Sequence, residues 1–134
     1  MLFRSARTPV SNRAGVRRLG VTCVDLYVPI LTFVFGEAEV GGARAVVSFH
    51  RLRQEFYGLP GNPELERERL LKEAVHELGH TLELTHCDDY RCAMAPSHSV
   101  EWIDLKESVF CPDCRESATQ RQHGRAVESG RLGL

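Results

Sequence analysis

Val75-His76-Glu77-Leu78-Gly79-His80-Thr81-Leu82-Glu83-Leu84-Thr85-His86-Cys87 is the stretch on which the reading of this chain turns. Its first part is an HExxH. Residues four apart on a helix lie one above the other, so His76 and His80 can aim both imidazoles at one metal ion. Glu77 projects from the same segment, where a carboxylate can accept the proton of a zinc-bound water. The upstream sequence supplies the helix. Asn62 can cap it, Pro63 suits its first position, and Glu64 and Glu66 complement its positive end. The pattern predicts a helix running to Glu83 or Leu84, with Leu71, Ala74, Val75, Leu78 and Leu82 as its core stripe. Beyond that end lies His86, where the chain could fold back and offer a third nitrogen. Three protein ligands leave one position of a tetrahedral zinc open, which is the arrangement of a catalytic site.

Four cysteines follow at once: Cys87 and Cys92 as C-x4-C, then Cys111 and Cys114 as C-x2-C. Two short pairs of thiolates suit a tetrahedral structural zinc, and two disulfides are the alternative. The paired spacing favours metal. Since Cys87 adjoins His86, a zinc held by the cysteines would pin the loop that carries the third histidine. Met94, two residues after Cys92, could floor the histidine site.

Ahead of the helix the period changes to two. Val21 to Val28 predicts a strand ending at Pro29, Phe33 to Val40 a second and Arg44 to Leu52 a third. Gly41-Gly42 supplies a tight hairpin between the last two. Residues 1–18 carry five arginines and no acid, and are expected to be a divergent or disordered leader. Residues 19–116 form the domain, and residues 117–134, polar and glycine-bearing, a flexible tail. Cys23 is expected in the core and Trp102 against the cysteine loop. The whole chain has 134 residues, 43% hydrophobic and 26% charged, with a net charge of -1. That composition excludes wholesale disorder, gives no push toward nucleic acid and leaves no run long enough for a membrane span.

The combined pattern resembles the archaemetzincins, a zinc peptidase-like family of the metzincin clan, whose signature is HExxHxxGxxHC-x4-C-x-M followed by C-x2-C. His76, Glu77, His80, His86, Cys87, Cys92, Met94, Cys111 and Cys114 match it position by position, with sixteen residues between Met94 and Cys111. Val24–Pro29, Phe33–Ala38 and Glu55–Pro60 are also similar. The resemblance implies an α+β, metzincin-like fold: a small twisted mixed sheet packed on the active-site helix, then a loop-rich zinc-binding C-terminal subdomain. It implies two zinc ions, one catalytic on His76, His80 and His86 with Glu77 as general base and Met94 as the Met-turn. The other is structural, on Cys87, Cys92, Cys111 and Cys114. It also implies an edge strand that lines an extended peptide, expected here within Ala43 to Phe49.

Two departures carry expectations of their own. The family glycine is Glu83 here. A glutamate forced into the left-handed conformation costs about 1–2 kcal/mol; if the helix continues instead, Glu83 lies near the metal face. The strand and helix that precede this region in the family have no counterpart in residues 1–18, so an N-terminal truncation with an exposed sheet edge is expected. The leading function is a zinc metallopeptidase acting on peptides or small proteins, monomeric but able to self-associate through that edge, and cytoplasmic. A degenerate relative that keeps both zincs and only binds peptides is the alternative, and a zinc module using the cysteines alone is a third reading.

Overall fold

A computed structural model describes residues 15–30 and 32–127. Five strands, β1 (Arg18–Thr22), β2 (Leu26–Tyr27), β3 (Phe33–Val34), β4 (Gly36–Ala38) and β5 (Arg44–Ser48), precede three helices. These are α1 (Pro63–Thr81), α2 (Val100–Leu105) and α3 (Pro112–Val127), with a 3-10 turn over Gln54–Tyr57 before α1. The architecture is α+β. The main sheet has the order β1-β5-β4, with β1 parallel and β4 antiparallel to β5, and it packs on α1. β2 and β3 form a separate antiparallel ribbon.

The hairpin forms where the glycines place it: β4 and β5 pair antiparallel, and Gly41 takes φ 71°. The first two expected strands are each broken into two. Between β1 and β2 the backbone is held by side chains instead of a ladder. The Val24 amide donates to Thr22 Oγ1 at 3.1 Å, and Ser48 Oγ donates to the Val24 carbonyl at 2.7 Å. Asp25 takes the Arg51 guanidinium at 2.8 Å. Those partners bend the chain out of the main sheet, and Cys23 is exposed there rather than in the core. The second strand changes sheets at Phe35, whose ring is buried with Leu52, Val100 and Ile103. β5 is shorter than expected and central, so the strand at the sheet's end on the α1 side is β4, not the segment from Ala43 to Phe49.

Asn62 opens α1 as its chemistry requires: Oδ1 accepts the Leu65 amide at 3.1 Å, with Pro63 in the first turn. The helix stops at Leu82. The Leu84 amide reaches the Gly79 carbonyl (3.1 Å) and the Glu83 amide reaches the His80 carbonyl (2.9 Å), with Glu83 at φ 69°. This is a Schellman termination with a non-glycine residue in the left-handed position. The burial of α1 is inverted relative to the expected core stripe. Leu71 is exposed, while Ala74, Val75, Leu78 and Leu82 are only half-buried. Buried instead are Arg69, Glu73, His76 and Glu77, the polar face that turns under the sheet and toward the loop after His86. Trp102 on α2 is exposed, against the expectation of a packed ring. The polar run from Ser117 is helical as far as Val127, as part of α3, with Ala118 buried beside Leu84, Cys92 and Met94. The expectation of a divergent leader falls largely outside the described residues, as does the tail beyond 127; Arg18 already begins β1.

Candidate metal centres and cleft

The helix spacing and the Schellman turn together bring three imidazoles into one place. One ring nitrogen from each of His76, His80 and His86 lies within 4.8 Å of the other two. The rings of His76 and His80 stand nearly perpendicular with centroids 4.8 Å apart, and that of His86 lies 5.3 and 5.2 Å from them. His76 Nδ1 is 2.8 Å from the Ala93 carbonyl and His80 Nδ1 is 2.8 Å from the Leu84 carbonyl. A carbonyl oxygen can only accept, so both rings carry their proton on Nδ1 and keep a lone pair on Nε2. Burial, reinforced by the charge of Lys106, drives the His76 pKa down to about 3, so its ring is neutral near neutral pH. Two rings held by backbone carbonyls, plus a third from the loop, fit a zinc ion.

Glu77 is buried beside them. Burial, with the carboxylates of Glu73 and Glu37 adding to it, pushes its pKa up to about 8. β4 passes directly over it. A Cβ on Gly36 would sit 2.7 Å from the Val46 carbonyl oxygen, 2.8 Å from Glu77 Cγ and 3.0 Å from Glu77 Oε2, so only glycine lets the strand approach this closely. Glu77 and the three histidines line an open cleft of about 690 Å³ together with residues of β3 and β4 and with Ser97 and His98. The outer edge of β4 has no strand partner among the described residues.

The four cysteines converge separately. Their sulfurs lie within 4.8 Å of one another, with Cys87 and Cys111 3.8 Å apart. That separation excludes a disulfide between those two and equals the ~3.8 Å edge of a tetrahedron built on ~2.3 Å zinc–sulfur bonds. Cys92 Sγ accepts the amides of Met94 and Cys111, each at 3.3 Å, and Cys87 Sγ accepts that of Asp89 at 3.5 Å. Burial pushes the Cys87 thiol up, and the Asp89 amide offsets only part of that rise. The two clusters share a backbone link, since the Cys87 amide donates to the Met94 carbonyl at 3.0 Å. Met94 itself is fully buried against Gly79, the helix residue before His80.

With this geometry in place, comparison with known proteins is informative. A family profile described as Peptidase family M54 matches residues 7–120. The chain belongs to this family. It is 52% identical over 103 residues to an archaemetzincin from Methanocaldococcus jannaschii, covering 77% of this chain and 58% of that protein. The crystal structure of the Methanopyrus kandleri archaemetzincin superposes with a TM-score of 0.76 at 41% identity, over 89% of this chain and 61% of the other. A zinc-dependent peptidase from Methanocorpusculum labreanum gives 0.73 at 40% identity, over 76% and 53%. The chain therefore spans about three-fifths of the length of the curated M54 relatives it matches.

Sequence reasoning named all seven residues of the two clusters, and Glu77 and Met94 beside them, because each set is local in spacing or pinned by a neighbour. It missed what lies behind them. Lys106, with a side chain fully out of solvent, places Nζ 3.0 Å from Glu73 Oε2 and 3.2 and 2.9 Å from the carbonyls of Ala93 and Ala95. Arg69 pairs with Asp104 at 2.8 and 2.7 Å and donates to the Leu52 carbonyl at 2.8 Å, tying α1 to α2. The signal available was the wheel position of Arg69 and Glu73, which share the face of His76 and His80. Nothing local pointed to Lys106. Glu83 keeps clear of the metal face: its carboxylate lies against the Gly41 turn and pairs with Arg121.

Proposed function

We propose that this chain is a zinc-dependent peptidase, with His76, His80 and His86 as ligands of a catalytic zinc and Glu77 as general base. Cys87, Cys92, Cys111 and Cys114 hold a second, structural zinc, and Met94 serves as the Met-turn. The observation that carries the reading is the pair of Nδ1–carbonyl contacts, which point the free nitrogens of His76 and His80 toward His86, with Glu77 buried alongside in an open cleft. Zinc bound there supplies a Lewis acid that polarises the scissile carbonyl and acidifies water. This chain's own residues do the rest. The free edge of β4 pairs with an extended peptide by backbone hydrogen bonds. Glu77 takes the proton of the attacking water on a carboxylate oxygen and returns it to the leaving amine. The loop carrying His86 is held by the thiolate site through Cys87.

Substrates are peptides or small proteins, and the chain works as a monomer in the reducing cytoplasm, where thiolate ligands persist. The outer edge of β1, which has no strand partner among the described residues, is the route by which it would self-associate at high concentration. The catalytically degenerate reading rested on Glu83 and on the missing N-terminal layer, and the placement of Glu83 against the Gly41 turn removes only the first of those motives. A peptide library incubated with wild type and Glu77→Gln tests the proposal. Turnover by wild type, falling about 10²–10⁴-fold in the variant with zinc content unchanged, is the expected result. Equal turnover by both would remove Glu77 from the mechanism, and none by either would restore the degenerate peptide-binding reading.

A further inference from the structure

A buried lysine that the proposed chemistry does not use lies under the histidine site. α2 ends at Leu105, and the extended backbone of Lys106 (φ −95°, ψ 170°) turns its side chain inward. There the ammonium donates to the Ala93 and Ala95 carbonyls at 3.2 and 2.9 Å and stands 3.0 Å from Glu73 Oε2 as an ion pair. A buried ammonium is costly unless it is paired and hydrogen-bonded, and here one carboxylate and two carbonyls meet that cost. The two carbonyls flank Met94. Glu73 stands one turn before His76 and Glu77 on the same helix face. The Ala93 carbonyl is also the acceptor for His76 Nδ1, so one oxygen is shared by a fixed ammonium and a metal-facing imidazole.

We propose that Lys106 is a positioning residue for the histidine metal site. By clamping the Ala93–Ala95 turn to Glu73 of α1 it fixes the carbonyl that orients His76, and so sets how tightly the three-histidine cluster binds zinc. This deepens the functional reading, resting on its assignment of the three histidines as ligands but not on peptidase activity. The competing account is charge balance alone, in which Lys106 merely neutralises Glu73. The two differ for a variant that removes both charges together. Charge balance predicts unchanged zinc binding in Glu73→Gln/Lys106→Met, whereas loss of a clamp predicts weaker binding despite unchanged net charge.

The test uses the full chain with zinc kept in the thiolate site. Zinc affinity of the histidine site is measured by chelator competition, and its geometry by the visible d–d bands of cobalt placed there. Expected for Glu73→Gln/Lys106→Met is an affinity loss of about tenfold or more, with shifted cobalt bands and one tightly held zinc retained. Affinity within twofold of wild type and unshifted bands would overturn the proposal. Should the variant lose its fold, wild type with ¹⁵N-labelled lysine decides. The protected Lys106 ammonium resonance should move when zinc enters the histidine site, and a resonance that stays put would equally overturn the proposal. Failure of the peptide library leaves all of these readouts intact, so the two readings fail separately.

Discussion

The two candidate metal-binding clusters adjoin in sequence at His86-Cys87 and differ in nearly everything else. The histidine cluster is built from a helix face and one loop residue, opens on a cleft, and keeps its ligand nitrogens aimed by backbone carbonyls and a buried lysine. The cysteine cluster is built from one loop pair and one pair at the start of α3, accepts backbone amides onto sulfur, and does not line the cleft. A site that must take substrate leaves one coordination position free, whereas a site that must hold a fold uses four protein ligands. The comparison teaches that the second cluster substitutes for core. Among the described residues the buried apolar set beside it is Leu84, Cys92, Met94 and Ala118, with Leu82 and Phe110 partly buried against it, a small core for a loop and a helix.

The largest effect follows from that claim. Cys92→Ser should release the structural zinc, unfold residues around α3 and abolish binding at the histidines, because His86 is carried by the loop that Cys87 pins. Structural zinc contributes on the order of 10 kcal/mol in small domains, so circular dichroism should show a melting midpoint lower by 10 °C or more. A smaller effect probes the other cluster. Gly36→Ala places a Cβ against Glu77 and the Val46 carbonyl. It should cost about 1–3 kcal/mol in thermal stability and lower turnover, while leaving the thiolate zinc untouched.

Much of this was legible in the sequence. The cap at Asn62, the hairpin at Gly41-Gly42 and the seven cluster residues, taken as short pairs and triplets, depend on short-range spacing, which one sequence displays. The inverted burial of α1 was not legible. An apolar stripe ordinarily marks the buried face, but here the polar face is buried because carbonyls, Lys106, Asp104 and a cleft receive it. The strand breaks at Cys23–Asp25 and Phe35 escaped for a similar reason. At the first break Ser48 and Arg51, more than twenty residues away, supply the bonds that bend the chain, and at the second Phe35 is buried against Leu52, Val100 and Ile103.

A further distinction between the clusters is their response to pH in chelator-treated protein. The Glu77 carboxyl, raised from 4.5 to about 8, stays protonated in the native state while the unfolded chain has lost that proton. Stability contributed by Glu77 therefore falls as pH rises from 4.5 to 8. His76, lowered from 6.5 to about 3, acts oppositely below 6.5, where the unfolded chain binds a proton that the native ring refuses. The two offset each other between 4.5 and 6.5. Above 6.5 only the Glu77 decline remains, about 1–2 kcal/mol by pH 8 in urea titrations. Saturating zinc should abolish that decline, since bound cation favours the carboxylate. The smallest effect concerns Glu83. Glu83→Gly relieves the left-handed strain of about 1 kcal/mol and loses an exposed pair with Arg121 worth less. A slight net rise in melting temperature with unchanged zinc affinity is expected.

Metal content per chain, by plasma mass spectrometry on purified wild type and His80→Ala, tests the central claim most directly. The account predicts two zincs in wild type and one in the variant, with the variant's fold intact by circular dichroism. One zinc in both proteins would contradict it, because the histidine cluster would then be no metal site at all.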